Sequence, residues 1–446
     1  MPPIDAKVGV RGEDERTVDD LGHPHEARVG EAGRVTGPLI VPITTIDLPQ
    51  ARRALTMDGM KMPALEHVMP ITSRPAVVMV EGAGSRLRDS DGREYLDFVQ
   101  GWAVNCLGHG HPAIVDALTT QARRLINCSP SYHNAPMARL ATLVAKSSGL
   151  DAVFFCNSGG EANEGAIKLA RKWGALHRGG AYEIVTTHGS FHGRTLATMS
   201  ASGKPAFAPL FEPKVPGFVK VPLNDLGALA AAITDRTAAV MLEPIQGEAG
   251  VFPADDDYLR AVRALTRERG VLLILDEIQT GIGRTGRLYA FEHAHTRPDI
   301  LTLGKGLGGG VPLAALVASA GASCFAPGDQ GGTFNGNALM AAVGCAVMET
   351  VDTPAFLAEI RETSAYFVER LRALSSWLGH GEVRGRGLLL ALALTRGDAS
   401  KIAGEAFERG LIVNAPRPDA LRFMPALTVS RAEIDEMLAL LELCLA

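Results

Sequence analysis

Val271-Leu272-Leu273-Ile274-Leu275-Asp276-Glu277-Ile278-Gln279-Thr280-Gly281 sets five apolar residues in a row directly before a carboxylate. A short unbroken run of this kind reads as a strand buried on both faces, which is what a mainly parallel sheet covered by helices requires. Further runs recur at residues 153–156, 183–186, 238–242, 300–303 and 313–318, most of them separated by a helical pattern or a long loop. The expected fold is therefore α/β, with a large, mainly parallel sheet domain over residues 115–345. Upstream, residues 77–98 alternate in short β-like runs around Ser90-Asp91-Gly92, a hairpin signal. His111-Pro112 then opens a helical stretch to Ile126, with Ile114, Ala117, Leu118, Ala122 and Leu125 at helical spacing. Downstream, residues 361–377 read as a helix, and residues 387–394, a second helix and residues 411–425 read as a smaller α+β domain. Residues 61–114 and 346–446 are expected to build that small domain, and residues 1–60 to form a flexible N-terminal extension.

Composition narrows the function classes. The 446 residues hold 44 basic and 49 acidic side chains, a net charge of −5 with His neutral, so there is no basic excess for nucleic acid or an acidic membrane. The apolar runs are too short to cross a bilayer. The first 40 residues carry eight acids and five bases with no apolar run, fitting neither a secretory signal nor a transit peptide, and the expectation is a cytoplasmic protein. Six cysteines, at 106, 128, 156, 324, 345 and 444, stand singly without C-x-x-C or metal-ligand spacing. They read as reduced packing residues, and no metal site is expected.

In open α/β sheets ligands gather beyond the carboxyl ends of the strands. Residues 300–303 run into Gly304-Lys305-Gly306-Leu307-Gly308-Gly309-Gly310, and of the ten lysines Lys305 alone stands at a strand end among Gly and apolar neighbours. An amine deprived of solvent is more easily neutral and can form a Schiff base. A structural Gly turn is the competing reading. A dinucleotide fingerprint would need a helix next, whereas Val311-Pro312-Leu313 starts another strand. Asp276, at the end of its own buried strand, needs a cationic or hydrogen-bonding partner. Pyridoxal phosphate accounts for both residues, with Lys305 on its aldehyde and Asp276 on its pyridine nitrogen; for Asp276 an arginine salt bridge is the alternative. Asn157-Ser158-Gly159-Gly160-Glu161-Ala162-Asn163-Glu164 opens a helix with small residues, so its N–H groups could meet a phosphate, or the helix could simply be capped. Gly331-Gly332-Thr333-Phe334 offers further donors in a loop.

These segments, together with Phe191-His192-Gly193-Arg194-Thr195 and Glu243-Pro244-Ile245-Gln246-Gly247-Glu248, resemble in order and spacing the class III, or ω-type, aminotransferases of the fold type I pyridoxal-phosphate superfamily. The resemblance covers about residues 64–446. Gly101-Trp102-Ala103-Val104-Asn105-Cys106-Leu107-Gly108-His109 and Leu421-Arg422-Phe423-Met424-Pro425 are most similar to the acetylornithine branch of that family.

The resemblance implies a set of roles. Lys305 would be the Schiff-base lysine and the carrier of the 1,3-proton transfer, Asp276 the pyridinium partner, and Gln279 a donor to the ring oxygen. Phe191 would stack on the ring. Ser158, Gly159 and Gly160 would hold the phosphate, joined by Thr333 of a neighbouring subunit, which implies an obligate homodimer. Position 160 is usually larger in this family, but a backbone donor survives in Gly. Arg194 would bind the distal carboxylate and Arg422 the α-carboxylate of glutamate, while Glu248 would cover Arg422 when the ω-amino donor is present. The implied reaction moves the δ-amino group of N2-acetylornithine to 2-oxoglutarate by a ping-pong mechanism through pyridoxal and pyridoxamine phosphate. Ornithine, succinylornithine or 4-aminobutyrate are alternative donors. Other classes are an aminomutase of the glutamate-semialdehyde type, which needs no 2-oxoglutarate, and a noncatalytic regulator, which would need a DNA-binding segment. The family starts near residues 65–75, so residues 1–60 are either a real extension or the product of an upstream start.

Overall fold

Strand Leu272–Asp276 sits in the middle of a seven-stranded sheet, in a computed structural model that describes Thr56–Met57, Met60–Lys61 and residues 65–445. Apart from the two short paired strands Thr56–Met57 and Met60–Lys61, the extension expected over residues 1–60 lies outside the described residues. The strand order is Ala152–Cys156, Ala314–Ala318, Ile300–Leu303, Leu272–Asp276, Thr237–Leu242, Glu183–Thr187 and Phe218–Val221. All run parallel except Ala314–Ala318, which opposes both of its neighbours.

Alternation along the central strand explains its unbroken apolar run. Leu272 and Ile274 join Ala166, Ile167, Ile184 and Met241 under the helix Gly159–His177. Leu273 and Leu275 point the other way, into a cluster with Leu140, Val144, Val262 and Val347 from the helices Ala135–Ser148, Asp256–Arg269 and Ala338–Val351. Helices thus cover both faces, as the continuous apolar runs require. The segment after Lys305 returns as the strand Ala314–Ala318 and not as a helix, as expected.

Three local differences from the sequence reading have physical reasons. Edge strand Phe218–Val221 is only half-buried and carries Lys220, so it gave no continuous apolar run. The helix that begins at Pro112 ends at Ala122 and not near Ile126, because Leu125 and Ile126 are exposed and have no core to hold a further turn. The long helix begins earlier than expected, spanning Pro354–Leu378, because Thr353 caps it through the N–H of Phe356 and Pro354 suits its first position.

Two smaller sheets flank the C-terminal half. Val383–Arg386, Leu389–Ala393, Ala420–Phe423 and Asn414–Arg417 form one antiparallel sheet in that order. In the other, Leu411–Ile412 pairs parallel to Glu94–Asp97, which continues to Arg86–Asp89 and Met79–Ala83. The hairpin around Ser90-Asp91-Gly92 is therefore tied to the C-terminal segment. Phe367 of the long helix lies edge-on to both Phe98 and Phe423, with ring centroids 5.8 Å apart in each pair. No single helix among the described residues is long and apolar enough to cross a membrane.

Gly174, inside the helix Gly159–His177, lets that helix approach the sheet, since a Cβ there would lie 2.0 Å from the carbonyl oxygen of Ala181. At an open helical position Gly→Ala gains about 1 kcal/mol. Gly174→Ala should instead lower the denaturation midpoint; a midpoint at or above that of the unaltered protein would mean the chain at Ala181 gives way freely.

Candidate active site

The carboxyl ends of the parallel strands bring Asn157, Glu243, Asp276 and Lys305 to one edge of the main sheet. Asp276 is buried, and its charge is met by hydrogen bonds from three segments. Its Oδ2 accepts from Asn163 Nδ2 at 2.7 Å and lies 2.8 Å from His192 Nδ1, while Oδ1 accepts from the N–H of Ile278 at 3.1 Å. Asn163 is itself fully engaged: Nδ2 also donates to the His192 carbonyl at 2.7 Å, and Oδ1 accepts from Thr302 Oγ1 at 2.8 Å. Among the described residues no arginine is paired with Asp276. Beside it, Glu243 accepts from the N–H of Phe191 at 2.8 Å, and burial, with the charge of Asp276 added, holds its pKa well above the usual carboxylate range.

The helix Gly159–His177 starts with a capping box, in which Ser158 and Glu161 satisfy each other's backbone N–H groups. The N–H groups of Gly159 and Gly160, in the first turn, have no intrahelical acceptor. Gly159 is required by space, because a Cβ there would lie 2.8 Å from Ile278 Cδ1. At Gly160 a Cβ would have 3.8 Å to Ser158 Oγ, so a larger residue would fit. Gly193, with φ of +138°, lets the loop after strand Glu183–Thr187 pass within a Cβ's reach of Gly160 and so sets Phe191 and His192 beside the helix start.

Lys305 follows extended Gly304 and has φ of +41°, a left-handed conformation costly for a non-glycine residue. Burial pushes its ammonium below the usual lysine range; Glu248, Asp276 and Glu243 pull the other way, and Arg422 adds to the lowering. The lysine is therefore coupled to Asp276, Glu248 and Arg422, which the resemblance grouped with it, and to Glu243, which it did not.

Arg422 is fully buried on strand Ala420–Phe423. Its Nη2 lies 2.7 Å from Glu248 Oε1, its Nε donates to Asn414 Oδ1 at 2.9 Å across the sheet, and Nη1 reaches Gln279 Oε1 at 3.4 Å. Burial alone would raise the Glu248 carboxyl, but Arg422 and Lys305 outweigh it and hold the pKa below the usual range. Gln279 crosses the space where Gly247 lacks a side chain, since a Cβ there would fall 1.5 Å from Gln279 Oε1. Gln279 Nε2 is buried with no partner among the described residues, as is His192 Nε2. Arg194 is exposed, its guanidinium 5.4 Å from the centre of the Phe207 ring. Thr333 is exposed, in a loop whose Asn335 accepts a hydrogen bond from Asn157 Nδ2 at 3.0 Å.

Several contributors were missed by sequence reasoning. Asn163 and His192 lie inside the motifs quoted above, where only their neighbours had been assigned a role. Glu243, directly after a buried strand, carried the same signal as Asp276. Asn414, Phe207 and Lys204 carry no local signal, because what matters is the partner the fold supplies. Glu277, next to Asp276, serves the loop: it accepts the N–H groups of Ala290 and Phe291, and burial pushes its carboxyl up to about 7. All six cysteines are free, and no group of three or more His, Cys, Asp or Glu among the described residues could hold a metal.

Comparison with known proteins agrees with this geometry. The Aminotransferase class-III family matches residues 69–445, and the chain belongs to that family. The chain is 54% identical over 384 residues to acetylornithine aminotransferase of Ralstonia nicotianae, covering 84% of this chain and 96% of that one. It is 53% identical over 378 residues to acetylornithine aminotransferase 2 of Bordetella bronchiseptica, with the same coverage. Among solved structures, ornithine aminotransferase of Toxoplasma gondii, with pyridoxal phosphate at partial occupancy in its active site, superposes with a TM-score of 0.81 at 33% identity, over 85% of this chain and 92% of that one. N-acetylornithine aminotransferase of Stenotrophomonas maltophilia gives 0.74 at 36% identity, over 85% and 97%. The chain is thus an α/β transaminase of fold type I.

Asn163→Leu should leave the His192 carbonyl bare and take one of two side-chain donors from Asp276. The expected loss is about 1–3 kcal/mol for each buried group left unsatisfied, read by chemical denaturation. An unchanged stability would show that the Asp276 network does not depend on this residue.

Proposed function

We propose that this aminotransferase moves the δ-amino group of N2-acetylornithine to 2-oxoglutarate with pyridoxal 5'-phosphate as its cofactor, giving N-acetylglutamate semialdehyde and glutamate. One observation carries the reading: Arg422, wholly buried, is covered by Glu248 at 2.7 Å beside Lys305. An ω-amino donor brings no carboxylate to the carbon that reacts, so a cation waiting there must be masked in that half-reaction and freed for glutamate. The names of the relatives at 53–54% identity favour acetylornithine over ornithine as donor.

The residues present fit the cofactor. A buried carboxylate anchored on three sides, two N–H groups without an intrahelical acceptor at a helix start, the unpartnered Nε2 of Gln279 and the half-buried ring of Phe191 match a cationic ring nitrogen, a phosphate, a ring oxygen and a ring face. When bound, the cofactor supplies a protonated pyridine ring that takes up the electron pair left when a proton leaves the carbon bearing the amine. In this reading Asp276 holds the proton on the ring nitrogen, and Asn163 and His192 hold Asp276. Lys305 carries the resting cofactor and then, as a free amine whose neutral form burial favours, moves the proton. Ser158, Gly159 and Gly160 bind the phosphate with Thr333 of a second copy, a role supported by the exposure of Thr333 in its own chain. Gln279 donates to the ring oxygen. The reading includes a homodimer with shared sites and a cytoplasmic location, the latter supported by the single, unpaired cysteines.

A panel of amine donors tested with 2-oxoglutarate should give acetylornithine the highest kcat/KM. A higher value for ornithine or 4-aminobutyrate would overturn the donor, and turnover without 2-oxoglutarate would point to an aminomutase.

Arg194 is proposed to bind the distal carboxylate in both half-reactions, the α-carboxylate of acetylornithine and the γ-carboxylate of glutamate. Charge-assisted bonds of this kind are worth about 1.5–3 kcal/mol, so Arg194→Leu should lower kcat/KM for both substrates by roughly ten- to a hundredfold. An amine without a distal carboxylate should be nearly unaffected. Damage confined to glutamate would remove Arg194 as the distal anchor.

A further inference from the structure

Glu248 has two cations, one on each carboxylate oxygen. Oε1 faces Arg422 Nη2 at 2.7 Å, and Oε2 faces Lys204 Nζ at 3.8 Å. The first contact is buried to the last atom on the arginine side; the second opens toward solvent, with the Lys204 side chain 30% exposed. Lys204 is held firmly for a surface lysine. Gly203 before it is locked by exchange of backbone hydrogen bonds with Gly189 and Ser190, and a Cβ at Gly203 would strike the Thr187 carbonyl at 2.2 Å. After it, Phe207 N–H donates to the Lys204 carbonyl at 2.9 Å. The ammonium lies 5.9 Å from the centre of the Phe191 ring and 5.8 Å from that of Phe207, distances at which a ring face attracts a cation. Among the described residues Lys204 is the one outward ion-pair partner of Glu248.

We infer that Lys204 is a positioning residue that receives Glu248 when glutamate or 2-oxoglutarate takes Arg422, so that the carboxylate trades one cation for another. This rests on the proposed exchange of Glu248 off Arg422. A carboxylate leaving a buried arginine without a second partner would face the incoming carboxylate across a narrow, partly desolvated space, and like charges there repel strongly. With Lys204 fixed on the far side, a short rotation moves Glu248 outward while the carboxylate keeps a cationic neighbour. Lys204 thereby selects for the partner that carries a carboxylate on the reacting carbon and is silent toward the donor, for which Glu248 stays on Arg422.

Two unreactive ligands separate these states without turnover. Glutarate has both carboxylates of glutamate and no amine; N-acetyl-L-norvaline is acetylornithine without its δ-amine and needs no access to Arg422. Titration calorimetry on the holoenzyme should show Lys204→Met weakening glutarate about fivefold, the scale of one partly exposed ion pair. N-acetyl-L-norvaline should change by less than about twofold, and Lys204→Arg should restore glutarate. In a Glu248→Ala background the same Lys204→Met change should have no effect on glutarate, because no carboxylate remains to be received. Equal weakening of both ligands would assign Lys204 to the distal carboxylate beside Arg194 and overturn the proposal. So would a loss that persists without Glu248, or no loss at all. Glu248→Ala alone should tighten glutarate; if it does not, the exchange on Arg422 fails, and that result is read with Lys204 still in place.

Discussion

Asp276 is a charged group at the end of a strand buried on both faces, and a carboxylate there is tolerated only if its oxygens are met. The partners come from elsewhere in the chain: Asn163 from the helix that follows strand Ala152–Cys156, His192 from the loop that follows strand Glu183–Thr187. Satisfying this one group therefore fixes the helix start against the loop that carries Phe191 and Arg194. Asn163 closes the arrangement by also holding the His192 carbonyl and Thr302, two residues before Gly304-Lys305. The electrostatic need of a single side chain thus sets the relative position of the segments on which the proposed chemistry draws.

Packing reinforces the same convergence. Ile278, two residues beyond Asp276, lies where both Gly159 and Gly304 lack side chains, so one apolar side chain seats the helix start and the segment before Lys305 together. Gly247 plays the same part for Gln279, whose amide crosses the empty position toward Arg422. These glycines serve by absence of volume, whereas Gly193 serves through its positive φ. The distinction matters for substitution: added atoms at 159 or 247 must move a neighbour, while position 160 has room for a side chain.

How much of this was legible in the sequence follows from how local each signal is. Strands buried on both faces announce themselves as unbroken apolar runs, so the central strands and the return strand after Lys305 could be read directly. The half-buried edge strand Phe218–Val221 could not, because solvent on one side permits Lys220. Asp276 and Lys305 stood out as charged residues where apolar neighbours predominate. Arg422, by contrast, looks like any arginine in a strand, and only the resemblance to a family assigned it a role. Its burial comes from Asn414, Gln279 and Glu248, two of them more than a hundred residues away in the chain. Lys204 was invisible for the same reason: what distinguishes it is the second oxygen of Glu248, and no spacing rule encodes that pairing.

The left-handed backbone at Lys305 shows how the fold and the proposed chemistry meet. A β or right-handed conformation would be easier for a lysine, and the observed φ of +41° costs on the order of 1–3 kcal/mol. That cost is borne because both sides are pinned. Ile300–Leu303 is a fully buried strand, and Leu307, buried in the main core, donates its N–H back to the Gly304 carbonyl at 2.9 Å. The turn between them has little freedom left, and the lysine is turned out of the strand direction among Asp276, Glu243, Glu248 and Arg422. A relaxed backbone would need the strand or the Leu307 anchor to shift. The strain is thus the consequence of setting an amine at a strand end inside a ring of opposed charges, and it is sustained by core packing on either side of the turn.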